Sequence, residues 1–490
     1  DLTTASNNTA VGYNSLTENT TGSENTAVGA LAADANTTGI NITAIGYGAL
    51  TANTTANNGT AVGKNALAAN TTGAHNTAVG KDALVNNTTG ASNVAVGKDA
   101  LSANTTGGSN VALGAYSLDA NTTGADNTGL GTSALGANTT ASNCTAVGVN
   151  ALRANTTGEN NTAFGALALY DSTTSTANVA VGHAALFENT TGAYNTAVGK
   201  SAAVNQTTAS YNTALGYATG IDWTTGQYNT AIGSQALYAQ TTSSHNTAVG
   251  FRAGYSVATG ADNVYLGNYA GNSHVGSRSV YLGYTAGYSQ TGANDNVCLG
   301  YGAGNNQTTG GQNVMVGRDA RGPATGTNAS ITIGYTCVGQ GNYYTTLGTG
   351  AGSDRIYNQF SSNASWTRVS DLRYKEEITN NTDCGLSFIN DLRPITFKFK
   401  PLASVDNTLP DYDSSKTSRL YDKKMYGLIA QEVKTALDKH NITDFAGWDE
   451  TEEGIQGISQ EMFVHPLIKA VQELSAKNDA LEARIQELEG

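Results

Sequence analysis

Few side chains in this 490-residue chain could do covalent chemistry, and most of them stand far apart. Ser370 and Lys375 are an exception, five positions apart in Ser370-Asp371-Leu372-Arg373-Tyr374-Lys375. A serine hydroxyl is a useful nucleophile only when a base takes its proton, and a lysine desolvated at a subunit interface can serve. Such a pair could attack a neighbouring backbone carbonyl and leave an ester for water to resolve. Taken alone, a turn-capping serine and a solvated lysine account for the two residues as well. The four cysteines, Cys144, Cys298, Cys337 and Cys384, form no CxxC or Cys/His cluster, so neither a zinc site nor a disulfide framework is expected. No cofactor and no metal are expected. The acidic residues of the first 370 positions are scattered, which argues against the paired carboxylates of a glycosidase.

What must position these residues is a repeat. Val, Ile, Leu or Phe followed by Gly recurs every 17 residues from Val11 to Leu266, continues at Leu282, Leu299, Val316 and Ile333, and ends at Leu347. A fixed period of this size means one unit stacked on copies of itself. Two places before the reference residue stands Thr or Val, with Ala usually between, the alternation of a short strand with one inward face. The next glycine (Gly80, Gly97, Gly114) suits a corner where a Cβ would clash or φ is positive. Five residues after the valine comes a second apolar column, Leu50, Leu67, Leu84 and onward. The Asn-Thr-Thr-Gly stretch reads as turn chemistry, which also accounts for the many Asn-x-Thr triplets. Each unit thus offers about two short strands, two turns and a thin core of Val, Leu and Ala. Stacked in register at about 4.8 Å, the units give a parallel β-solenoid or β-roll roughly 100 Å long, for which lateral association of chains is the natural reinforcement.

The repeat changes character beyond about residue 190. Tyrosines number four in residues 1–190 and twelve in 191–301, and Gly254, Gly271, Gly287 and Gly304 replace leucine in the second apolar column. Tyr194, Tyr211, Tyr228 and His245 share one repeat position; Tyr217, Phe251, Tyr284, Tyr301 and Tyr335 share another that holds lysine in earlier units. A position that accepts lysine is exposed, so these aromatics should form surface stripes, either simple stacked ladders or contacts for sugar rings.

Charge marks the domain boundary. Residues 1–370 carry 27 charged side chains and residues 371–490 carry 36. We divide the chain into a repeat shaft over 1–348, a stalk over 349–369 and a C-terminal module over 370–490. That module ends at 464–490 in a heptad pattern with Leu467, Leu474, Leu481 and Leu488 at d and Val471, Asn478 and Ile485 at a. Lys477 and Arg484 at g would meet Glu482 and Glu489 at e of a neighbour, and polar Asn478 would fix the register of a parallel coiled coil. The net charge of −13 excludes a nucleic-acid footprint. No apolar run is long enough for membrane insertion.

Two resemblances follow from these motifs. The Asn-Thr-Ala-Val-Gly units over about 7–348 resemble the head repeats of trimeric autotransporter adhesins, which are trimeric β-rolls. Ser370-Asp-Leu-Arg-Tyr-Lys375, Leu392-Arg-Pro-Ile-Thr-Phe397 and Tyr426-Gly-Leu-Ile-Ala-Gln-Glu-Val433, followed by a coiled coil, resemble the C-terminal intramolecular chaperone of phage tail fibres and tailspikes, including the endosialidases. That resemblance implies a small α+β domain that assembles as a homotrimer, templates the β-fibre before it and then cuts itself off. Ser370 would be the nucleophile and Lys375 its partner, with the cut at Val369–Ser370 or at Ser370–Asp371. It further implies a virion tail fibre made in the host cytoplasm, binding a host glycan or protein receptor and joined to the phage tail or baseplate through a region before Asp1. A bacterial trimeric adhesin and a glycan-degrading tailspike are the alternatives. The adhesin would need a membrane-anchor barrel, which does not appear in this sequence.

Overall fold

The computed structural model describes residues 4–350, 354–359, 367–368, 378–407, 412, 414–418, 423–451 and 454–490. The chain divides into two compact units, Asp1–Tyr374 and Lys375–Gly490.

The first unit is a β-solenoid with one three-residue strand per coil, not two. Its strands begin with β1 (Thr9–Val11) and β2 (Thr26–Val28) and run to β20 (Ile331–Ile333), with β21 (Thr345–Gly348) last. Each pairs in parallel with the next, so Thr77 sits on Val94, Ala78 on Ala95 and Val79 on Val96. The rest of the coil also climbs by hydrogen bonds: Leu84 N–H to Ala100 O at 3.0 Å, Thr88 N–H to Thr105 O at 2.9 Å and Ser92 N–H to Ala74 O at 3.0 Å. The stack ends by a change of pairing. β22 (Arg355–Asn358) turns back antiparallel on β21, and β23 (Thr367–Arg368) pairs antiparallel with β22. This part of the expected stalk is therefore folded onto the last coil.

The strand faces the opposite way from the expected one. The middle Ala is buried (Ala78, Ala95 and Ala112 are 0% exposed), while the flanking Thr/Val and the reference Val point out. A coil this tight leaves room beside the strand only for a methyl, because the Leu column (Leu67, Leu84, Leu101) fills the interior from the opposite corner. Leucine achieves this in a left-handed backbone, φ 52° at Leu84 and 51° at Leu101, a conformation that costs a non-glycine residue about 1–2 kcal/mol. From Gly254 onward the arrangement inverts. Glycine takes the left-handed corner and the strand supplies the bulk, with Tyr265 and Tyr281 fully buried. A Cβ on Gly271 would lie 2.3 Å from the Tyr265 ring, so the two exchanges are one steric event. Gly220 opens in the same way for the buried Trp223.

The Asn-Thr-Thr-Gly asparagine is not a left-handed turn residue. It is buried and forms a ladder: Asn104 Nδ2 donates to Asn87 Oδ1 at 2.8 Å and Asn121 Nδ2 to Asn104 Oδ1 at 2.9 Å, each also reaching the glycine carbonyl three residues on. A second buried ladder begins most strands, where Asn93 accepts from Asn110 N–H at 2.9 Å and donates to Gly107 O at 2.9 Å. The threonines add a third, Thr88 Oγ1 donating to Thr105 O at 3.0 Å. In the coil between Leu266 and Leu282, which is one residue short, His274 takes the asparagine's place. Tyr265 O–H donates to its Nδ1 at 2.8 Å and its Nε2–H donates to Ala293 O at 2.8 Å.

The second unit is small and mixed. Helix α1 (Leu386–Asp391), β24 (Ile395–Phe397), β25 (Met425–Gly427), α2 (Ala430–Lys439), β26 (Trp448–Glu450), β27 (Gln456–Ile458) and α3 (Val464–Glu489) follow in order, with β24–β25 and β26–β27 as antiparallel pairs. Phe388, Val433, Ala436, Leu437 and Ile442 form its core, with Phe445, Trp448 and Phe463 against them.

Two outcomes follow. A Cβ on Gly80 would lie 2.4 Å from Gly97 O at φ +139°, whereas one on Gly292 meets nothing within 4 Å. Gly80→Ala should therefore lower unfolding stability by more than about 2 kcal/mol in denaturant melts, and Gly292→Ala should change it by under about 0.5 kcal/mol. Burial pulls the His274 imidazole down to about 4. The unfolded chain accepts this proton near pH 6.5 while the folded chain does not until near pH 4, so the stability due to neutral His274 is complete above about pH 6.5 and falls in acid by up to about 1.4 kcal/mol per unit. Melts across that window should show this slope, and His274→Asn should remove it.

Candidate functional site

Val369, Ser370, Asp371 and Lys375 lie outside the described residues. The structure does describe the two other motifs of the module, and it joins them. β24, from Leu392-Arg-Pro-Ile-Thr-Phe, pairs with β25, which opens the Tyr-Gly-Leu-Ile-Ala-Gln-Glu-Val motif, Ile395 standing opposite Gly427. Arg393 Nε donates to Glu432 Oε2 at 3.0 Å, and a second bond from Nη2 completes a two-point ion pair across the same junction. That fork holds the Glu432 carboxyl below the usual carboxylate range. Val433, the next residue, turns inward to the core. The spacing of the motifs is thus the geometry of one strand pair and the helix that follows it.

A carboxylate cluster that the sequence did not announce sits at the end of α1. Asp391 accepts from Lys439 Nζ at 2.7 Å and from His440 Nε2 at 2.6 Å, and those two bonds lower its pKa, Lys439 first. The imidazole meets the Phe388 ring edge-on at 6.0 Å. The cluster ties the ends of α1 and α2 together. No local motif marks it, because the partners are 48 and 49 residues apart.

Helix α3 has two different faces. Pro466 and Ala470 are buried, and Glu473 Oε2 accepts the Leu386 N–H at 2.8 Å, capping α1 from the side. Gly385 lets that carboxylate come close: a Cβ there would lie 2.5 Å from it, and Glu473 would have to shift. The heptad seam lies on the other face: Leu467, Val471, Leu474, Leu481, Ile485 and Leu488 are all more than half exposed, and Asn478 is exposed with them. A seam of this composition is what a helix keeps for partner helices.

The first aromatic column forms a continuous ladder, and the second is interrupted by Ser234, Asn268 and Arg318. Tyr194, Tyr211, Tyr228 and His245 stack in sequence, with centroids 5.1, 5.0 and 5.2 Å apart and planes within 8°. Their ring faces are turned to one another, so the inner rings of this ladder offer edges and hydroxyls to solvent. In the other column Tyr284 stacks on Tyr301 at 5.3 Å, and Arg318 lies 5.4 Å from Tyr301 and 5.5 Å from Tyr335. Phe251 lies 5.2 Å from the Arg252 guanidinium, and Tyr217 is half exposed between Lys200 and Ser234. The four cysteines are free and buried, and among the described residues no group of His, Cys, Asp and Glu is placed to hold a metal. No described helix is long and apolar enough to cross a membrane.

Glu473→Ala should cost about 1 kcal/mol, as loss of an N-terminal cap does, and increase hydrogen exchange in α1, while Glu487→Ala should leave that exchange unchanged.

Residues 370–442 match the model of the family described as chaperone of endosialidase. No curated protein and no solved structure matches the chain. The match spans all three motifs, the β24–β25 pair and α2, and it begins at Ser370. A β-solenoid of 17-residue coils followed by a chaperone-of-endosialidase segment fits a tail fibre with an intramolecular chaperone domain.

Proposed function

We propose that this chain is a homotrimeric, receptor-binding tail fibre whose C-terminal module templates the trimer and then releases itself by one cut beside Ser370. The observation that carries this reading is the chaperone-of-endosialidase match at 370–442, directly behind the solenoid. The exposed heptad seam of α3 supports the trimer, because the chain spends the helix's other face on α1 and leaves seven seam positions unused. In this reading Ser370 Oγ attacks the Val369 carbonyl, with Lys375 taking the hydroxyl proton and returning it to the leaving amine. Water then hydrolyses the ester. The Ser370–Asp371 bond is the other candidate for the cut. Lys375 sheds its own proton, and so can take one from the serine, only when a subunit interface strips its water and lowers its pKa; cleavage therefore waits for assembly.

The solenoid supplies the shaft. Its partners in this proposal are two copies of itself, a host-surface glycan or protein, and the phage tail or baseplate, and its place is the virion. Removal of the template leaves a fibre that cannot be rebuilt once unfolded, so its persistence rests on a slow unfolding rate.

Denaturing gels test the cut. The 50.2 kDa chain should yield a released piece of ~13 kDa, at about 110 Da per residue. Both Ser370→Ala and Lys375→Ala should abolish that piece while the assembled mass is kept. A wild-type trimer that stays whole would refute the proposed processing.

A further inference from the structure

The repeat itself performs a twenty-one-fold substitution experiment, since every strand from β1 to β21 presents the same outward position. That position is Val, Ile, Leu or Phe in all twenty-one coils. Yet it points to solvent: Leu113 is 45% exposed, Phe164 56% and Leu215 44%. The other outward strand position is Thr, Val or Ile throughout. Elsewhere the exposed surface varies freely. The column of Ala239 holds Asp171, Glu188 and Asp222 in other coils, and the corner columns flanking the strand exchange Lys, Asn, Tyr and Asp. A solvent-facing position that never accepts a polar side chain, in a chain where other exposed positions do, is a position that becomes buried.

We infer that this outward strand face is the seam along which the solenoids of three copies of the chain meet, with the aromatic columns inside the assembly. This rests on the trimer proposed above and locates its contact. A copy of the chain fits because the stripe repeats with the coil through twenty-one rows, and only another such solenoid matches that period over that length. A stable interface takes about 800 Å² from each partner, and a half-exposed aliphatic stripe of this length supplies an area on that order or above. Charge also fits. Around a threefold axis along the shaft, the corner before each strand meets the corner after the same strand on the next chain. Tyr194 then faces Lys200, Tyr211 faces Tyr217 and Arg278 faces Tyr284, cation–π and aromatic pairings. No row sets two of Lys, Arg, Asp and Glu with like charge against each other. The inner rings of the Tyr194–His245 ladder, whose faces are already occupied, thereby acquire a partner for their edges.

The test uses the full-length chain carrying Ser370→Ala, with its mass in solution measured first. Leu215→Asp should lower the temperature at which the three-chain species dissociates by about 5 °C or more, while Ala239→Asp should leave it unchanged. In parallel, Tyr211→Cys with Tyr217→Cys should give covalent three-chain species with a short bis-maleimide on denaturing gels, and either change alone should not. The native cysteines are buried and do not compete. If the protein has the mass of three chains and neither effect appears, the face is wrong and the trimer stands. A mass of one chain refutes both. If Leu215→Asp fails to fold, the cross-link decides.

Discussion

Backbone lies directly on backbone throughout the shaft, and the rest of the solenoid follows from that closeness. From Gly12 to Gly317 the glycine after each strand places its missing Cβ 2.3–2.9 Å from the next coil's carbonyl oxygen, as at Gly80 over Gly97. A coil held so near its neighbour has an interior only one methyl and one leucine deep. Alanine must therefore occupy the middle of the strand, and leucine must come from the far corner even at the cost of a left-handed backbone. What hydrophobic burial cannot supply in so thin a core, the asparagine ladders provide. From Asn36 to Asn138 each buried amide donates to the one before it and accepts from the one after, so that stretch of the polar interior is satisfied row by row; the run ends at Asn155, whose Oδ1 has no partner.

Uniformity of this kind has a weakness: a repeat pairs nearly as well one coil out of register. The irregular coils counter it. Trp223 fits only beside Gly220, Tyr265 only beside Gly271, and the short coil carries the Tyr265–His274–Ala293 chain of hydrogen bonds. Each is a mark that a slipped neighbour would misplace. Such marks act within one chain. In the proposed fibre, setting three chains level with one another falls to the C-terminal module, whose heptad seam is continuous and carries Asn478 as a register residue.

The period, the parallel stack, the glycine corner, the Tyr columns and the C-terminal helix were legible in the sequence because each depends on spacing alone. Which face of the strand is inside was not. Val79 and Val96 look like core by hydrophobicity, and only the tightness of the coil, which no single unit reveals, sends them outward in favour of Ala78 and Ala95. The asparagines were misassigned for a related reason, since Asn in a turn and Asn in a ladder have the same local sequence and differ in what lies one coil away. In the C-terminal module the motifs were readable, but their union through Arg393–Glu432 and the Asp391–Lys439–His440 cluster depends on pairs about 40 to 50 residues apart, which leave no local pattern. Ser370 and Lys375 were legible through motif resemblance, and their role belongs to the proposed function.

In the proposed fibre, three chains associate through an apolar seam before one of them can be cut. The mass of the full-length Ser370→Ala protein in solution, by light scattering, tests it most directly. Three copies of a 50.2 kDa chain predict about 150 kDa, unchanged on dilution. A stable species with the mass of a single folded chain would contradict association of three.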